Sequence, residues 1–309
     1  MKNLSRIALI LISVLLFFGL FDFQVFSQEY FYPAEVSGKI LDKKGNPFAE
    51  PVLVDITAKI FQGADKDGNG QYRDVEFKQN ATGVFSWKGQ AWKIKILAEK
   101  DGYYNDGFYI LHPPGSMEGK EIKQNDILIH MIPKGTPSKL EYVGGADIPD
   151  KADPKSGGKD CGWSFQKLWY FPVDKEQTIG MTLSFNENGD AVYTMKEPGG
   201  FIWYPGYPQF ESKPGELSAS FEWMTEAPET GYVPTFTPID HQYRRNVGQD
   251  IYCYFRTTEG KYGKMVFHGL FSYYLQPDGS RNLEAGEVVE TGPIRPEYKA
   301  RLEKEQRGY

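Results

Sequence analysis

The sequence predicts an all-β protein made of two β-sandwich-like domains and a short C-terminal helix. Between residues 28 and 292 the ordered-looking runs are short, aromatic and β-branched, helical periodicity is nearly absent, and Gly (33) and Pro (20) interrupt the chain throughout its 309 residues. In "WKIKILA" Trp92, Ile94 and Ile96 alternate with Lys93 and Lys95, which puts one face of a strand in a core and the other in water.

The chain opens on Lys2 and Arg6 and runs into "IALILISVLLFFGLF", an apolar stretch that ends at Asp22. This is the length of a signal-peptide core rather than of a bilayer span. "VFSQE" places Val25 and Ser27 three and one positions before a cut, so residues 1–27 are expected to be a signal peptide and the chain to be exported, to the periplasm, the cell surface or the medium. The alternative is an uncleaved N-terminal anchor. No membrane span is expected beyond this segment.

A first series of strands, "EVSGKIL", "PVLVDITAKIF", "GVFSW", "AWKIKILAE" and "NDILIHMIP", is separated by polar turns and fills residues 30–132. His130 in "ILIHMIP" is expected on a strand, pointing away from the core. Residues 133–159, rich in Pro, Gly, Lys and Asp, read as a linker or long surface loop. A second β domain is expected at 160–292, from "WSFQKLWYF" through "KMVFHGLFSYYL". Within it, "FNENGDAVY" carries Asn188-Gly189 between two alternating runs, a strong hairpin signal, and "RTTEGKYG" marks a second hairpin. The tail 293–309 opens with Pro296 and carries mostly charged residues, as a short exposed helix would.

A net charge of −6 and a pI near 5.4, with no basic cluster, exclude a nucleic-acid surface. The four histidines are scattered without a zinc-binding pair. No nucleophile elbow, phosphate-cradling loop or dinucleotide fingerprint follows any strand. A glycosidase-type carboxylate pair is left open among the 41 Asp and Glu, because separation in space is not written in linear order.

Three sets of residues are candidate sites. Asp65, Asp67, Asn69, Gly70, Gln71 and Glu76 meet the calcium-loop template, in which short oxygen-bearing side chains on alternate residues turn inward around a glycine bend. The flanking runs are strand-like, so two readings stand: a calcium loop inserted between strands, and a plain polar hairpin containing Asp67-Gly68 and Asn69-Gly70. In "GGFIWYPGYPQF" the rings of Trp203, Tyr204 and Tyr207 lie among Gly and Pro, where they could line an aromatic cleft for a glycan or fill a core. The two cysteines, Cys161 and Cys253, are candidates for one disulfide in an oxidising compartment; two buried free thiols are the alternative.

The first series resembles the carboxypeptidase regulatory-like domain in "VSGKILDKKGNPFAEPVLV" with Asp42 and the Gly45-Asn46-Pro47 turn, in "NATGVFSW" with Thr82, Gly83 and Phe85, and in "AEKDGYY" with Gly102 and Tyr103. The resemblance implies a transthyretin-type β-sandwich and a non-catalytic accessory role in exported and envelope proteins. The second half is similar to the C-terminal region of uncharacterised exported bacterial proteins, a likeness that implies no activity. The expected function is binding or structural support at the cell envelope, with a glycan or another envelope protein as partner and calcium bracing one loop. The alternative is a carbohydrate-active protein with an aromatic cleft in its second domain.

Overall fold

The computed structural model describes residues 31–65, 67, 69–104, 106–111, 121–174, 179–211, 217–241 and 250–290; the expected signal peptide at 1–27 and C-terminal helix at 293–309 lie outside them. The described chain is all-β, with only three short 3-10 turns, at Pro154–Ser156, Phe221–Trp223 and Pro238–His241. Among the described residues no helix is long and apolar enough to cross a membrane.

The first eight strands are β1 (Tyr32–Asp42), β2 (Val52–Ala64), β3 (Gly70–Ala81), β4 (Val84–Ala91), β5 (Lys93–Glu99), β6 (Tyr103–Tyr104), β7 (Asp106–Leu111) and β8 (Ile122–Pro133). They form two four-stranded sheets, ordered β4-β1-β8-β6 and β3-β2-β5-β7. All their pairings are antiparallel except β1 with β8. The period-two pattern explains the packing. Val36 and Ile40 of β1, Val54 and Ile56 of β2, Ile94 and Ile96 of β5, and Ile127 and Ile129 of β8 enter one core. Lys93 and Lys95 take the other face, as alternation requires. Gly38 sits where β1 slips register against β8; a Cβ there would lie 2.3 Å from the Ile127 carbonyl oxygen, so this approach needs glycine.

The stretch 133–159, expected as a linker or loop, instead contains a strand, β9 (Ser138–Ala146), inside a six-stranded sheet. Leu140 and Val143 are buried on its opposite faces, and their hydrophobic contacts outweigh the turn-forming Pro, Gly and Asp around them. The remaining strands are β10 (Cys161–Ser164), β11 (Trp169–Pro172), β12 (Met181–Phe185), β13 (Ala191–Met195), β14 (Gly200–Tyr204), β15 (Tyr207–Pro208), β16 (Leu217–Ser218), β17 (Thr235–Phe236), β18 (Ile251–Arg256), β19 (Tyr262–His268), β20 (Leu270–Leu275) and β21 (Ala285–Glu290). One sheet runs β11-β10-β12-β13-β17, a second β14-β18-β19-β20-β9-β21, and β15 pairs with β16. Both predicted hairpins form, β12 with β13 and β18 with β19.

The six-stranded sheet is buried on both faces. Phe201, Cys253, Phe255, Met265, Phe271 and Tyr273 pack on one side with Trp163, Met181 and Met195 of the five-stranded sheet. On the other side Tyr204, Tyr252, Tyr254, Tyr262 and Tyr274 gather with Leu140, Met224, Ala227 and Leu283. Lys264 stands among these tyrosines, 2 % exposed, and its Nζ donates to the carbonyls of Phe221 (2.8 Å) and Met224 (3.2 Å). Burial lowers its pKa to about 8, while the charges of Glu284 and Glu222 oppose that fall.

The two pairs of sheets are joined through side chains and backbone. Residues 209–211 run antiparallel along β8, with Leu128 N donating to Gln209 O at 2.8 Å and Glu211 N to Asp126 O at 3.0 Å. Phe210 thereby enters the core of the first two sheets. Buried Glu284 accepts from the Tyr104 hydroxyl and, at 2.8 Å, from the Gly135 amide.

Candidate functional site

Four hairpin turns share one five-residue design, and it accounts for the calcium-loop pattern. In "DKKGN", "DKDGN", "NENGD" and "TTEGK" the first residue bonds its backbone to the fifth (Asp42 N to Asn46 O, Asp65 N to Asn69 O, Asn186 N to Asp190 O, Thr257 N to Lys261 O; 2.8 to 3.0 Å). Its side-chain oxygen then accepts from the amide of the fifth residue, at 2.9 Å for Asp42, 2.8 Å for Asp65, 2.9 Å for Asn186 and 3.2 Å for Thr257. The fourth position is glycine, with φ of +83°, +80° and +81° at Gly45, Gly189 and Gly260, a region other residues rarely enter. These amide bonds, with the Asn46 side chain, hold the Asp42 carboxyl below its ordinary pKa.

In the second of these turns Asp65 also accepts from the Asp67 amide (2.9 Å) and the Asn69 side chain (3.2 Å). Asp65, Asp67 and Asn69 therefore share the turn. Gln71 stands opposite Gly63 on the ladder, and Glu76 lies well down β3 opposite Thr57. At about 3.4 Å per residue, Glu76 is on the order of 20 Å along the strand from Gly70, so the five residues do not converge on one point. A helix–loop–helix would curl that last ligand back; a straight strand carries it away.

Of the three candidate rings, Tyr204 and Tyr207 meet edge-on at 6.4 Å and Trp203 stands apart. Trp203, 38 % exposed on the edge strand β14, stacks on His241 at 4.6 Å. Tyr204 projects to the opposite face, edge-on to Tyr254. Tyr207 stacks on His130 at 4.8 Å and meets Trp223 edge-on. Alternation along β14 sends neighbouring rings to opposite faces, so Tyr204 and Tyr207 fill packed contacts and only Trp203 is displayed. His130 does turn away from the first core, yet it is buried, because Tyr207 covers it. That burial lowers its pKa to about 4, against the opposing charge of Asp42. Cys161 and Cys253 are free thiols in one core cluster, on β10 and β18, so the disulfide expectation gives way to the buried-thiol alternative. Burial raises the pKa of both, which makes them poor nucleophiles.

A cleft of about 210 Å³ opens at one end of the second pair of sheets. Tyr193 and Phe267, 4.6 Å apart, and Ile251 form its floor, and the 3-10 turn at Pro238 and Ile239 forms a wall. Rings continue from the floor to the surface: Phe267 on Phe236 (5.4 Å), Phe236 on His241 (4.9 Å), and His241 on Trp203. Burial pushes the Tyr193 hydroxyl up to about 12, with a smaller push from Asp147, and lowers the His241 pKa. His268 lines the cleft, and its Nδ1 pairs outside the lining with Asp250, whose other oxygen accepts from the Tyr252 hydroxyl at 3.2 Å. Asp190, on the rim, accepts from the Asn186 side chain at 3.1 Å.

Sequence reasoning passed over Asp250, His268 and Tyr193. The signal for the first two was present: the "TTEGK" turn pairs Arg256 with Tyr262 and Ile251 with Phe267, and one step further along that ladder brings residue 250 opposite 268. Among the described residues no three of His, Cys, Asp and Glu gather as a metal-holding group. The chain matches no protein-family model and no curated protein.

Proposed function

We propose that this chain is an exported, non-enzymatic protein of the cell envelope that works by binding, with a transthyretin-like sandwich at 30–132 and a second β-sandwich that begins with β9 and ends with β21. Two four-stranded sheets around one core support the resemblance of the first unit to the carboxypeptidase regulatory-like domain. The observation that carries the binding role is the cleft lined by Tyr193 and Phe267 together with Asp190 and His268. Aromatic rings beside the Asp190 carboxylate acceptor suit a sugar ring, which is apolar on its faces and rich in hydroxyl donors at its edge. At about 210 Å³ the cleft is smaller than pockets for drug-sized ligands, roughly 300 to 1,000 Å³, so it fits one terminal sugar unit of an envelope glycan.

Binding is favoured over hydrolysis because Asp190, among the described residues the one carboxylate lining the cleft, is held by its own turn. Calcium is not needed in this reading, since the 65–69 turn is closed by its own side chain. The test is a glycan array and a hydrolysis screen on the exported form, repeated with Asp190→Ala and His268→Ala. Retention of a glycan without turnover, weakened at least tenfold by either substitution, supports the reading. Turnover of any glycan makes the protein an enzyme, and a silent array removes the glycan assignment.

A further inference from the structure

Strand β3 is exposed along nearly its whole length. It ends its sheet, and all residues from Gly70 to Lys78 are exposed, including Tyr72 (38 %), Val75 (40 %) and Phe77 (45 %). Arg73, Val75 and Phe77 stand opposite Ile60, Ala58 and Ile56 of β2, so they lie on the core-facing side of the sheet; yet the opposing sheet leaves them uncovered. No proline interrupts this twelve-residue edge. Natural sheets usually blunt such an edge, because its unpaired amides and carbonyls accept another strand.

The charges along β3 select what that strand can be. A two-fold axis normal to the sheet pairs β3 with its own copy in an antiparallel register centred on one residue. Among registers that overlap more than half of the strand, centring on Arg73, Asp74, Glu76 or Lys78 sets that charge against itself, and centring on Val75 sets Asp74 against Glu76 of the copy. Centring on Phe77 opposes no like charges. It puts Glu76 opposite Lys78 of the copy twice on one face, and on the other it puts Phe77 against Phe77 and Val75 against Gln79. Opposite charges and aromatic pairs directly across a ladder each contribute roughly 0.2 to 1 kcal/mol, and like charges cost a similar amount.

We propose that β3 pairs with β3 of a second copy about an axis at Phe77, joining two four-stranded sheets into one continuous sheet. The paired edge runs from residue 73 to 81, about 30 Å at the usual strand rise, and covers the apolar side chains of Val75 and Phe77. This surface is independent of the cleft described above.

The test is sedimentation equilibrium of the full exported chain across the micromolar range, with melting curves on each variant to confirm folding. Wild type is expected to dimerise. Glu76→Lys and Lys78→Glu should each weaken the dimer at least tenfold, Phe77→Asp should abolish it, and the double variant E76K/K78E should restore it. A wild type that stays monomeric, a dimer unaffected by these changes, or a double variant as weak as the single ones would overturn the proposal.

Discussion

Phe210 stands directly opposite Ile127 of β8, and its ring, 7 % exposed, lies in the core of the two sheets formed by β1 to β8. A side chain from the second half of the chain thus completes the hydrophobic core of the first. Lys39 Nζ reaches Glu211 at 2.7 Å beside it, but both side chains are about half exposed and that pair adds little.

Phe210→Ala is expected to destabilise the protein by about 3 to 5 kcal/mol, the usual cost of emptying a buried phenylalanine site. Because the ring couples the two halves, chemical unfolding of the wild type should follow a single transition seen alike by fluorescence and circular dichroism. In the variant the first half should unfold at lower urea, separating the two probes.

His130 supplies a pH dependence with a definite sign. Its pKa is lowered to about 4 in the fold, so between roughly pH 6.5 and 4 the unfolded chain takes up a proton that the folded chain refuses. Stability should fall by up to about 3 kcal/mol as pH drops through that window and level off below it with respect to this group. His130→Phe keeps an aromatic ring against Tyr207 and removes the titration; the difference between the two pH profiles is the measurement.

Lys264 acts at the other end of the scale. With its pKa lowered to about 8, the folded chain releases this proton before the unfolded chain does, so its contribution to stability rises from about pH 8 towards 10. Above pH 10 the buried tyrosines reverse the trend: burial raises the pKa of Tyr252, Tyr254 and Tyr274, so the unfolded chain ionises first. Lys264→Met should erase the rise between pH 8 and 10. At neutral pH it should cost about 1 to 3 kcal/mol, because the carbonyls of Phe221 and Met224 lose their donor.

Asp65→Ala removes the acceptor for the amides of Asp67 and Asn69 and is expected to cost about 1 to 2 kcal/mol. The melting temperature of the wild type should be the same in millimolar calcium and in chelator. A calcium-dependent rise that Asp65→Ala or Glu76→Ala abolishes would restore the metal loop.

Period-two alternation made the β series legible: Ile94 and Ile96 are buried and Lys93 and Lys95 are not, as their order implies. The hairpins at Asn188-Gly189 and at "TTEGK" were equally readable, since a turn and its register are local properties. The strand β9 was not, because its burial depends on partners in β20 and β21, more than a hundred residues away. The candidate rings were grouped by proximity in the chain, whereas the pleat sends Trp203 and Tyr204 to opposite faces.

The fold class and the positions of the turns were legible in the sequence, because both follow from side-chain type and spacing within a few residues. Which sheet each strand joined, that Asp65 closes its own turn, that Cys161 and Cys253 remain thiols, and that Asp190, Tyr193, Phe267 and His268 line one cleft were settled by the tertiary structure alone. Those outcomes depend on contacts between distant segments, and nothing in the local order of residues sets their energies.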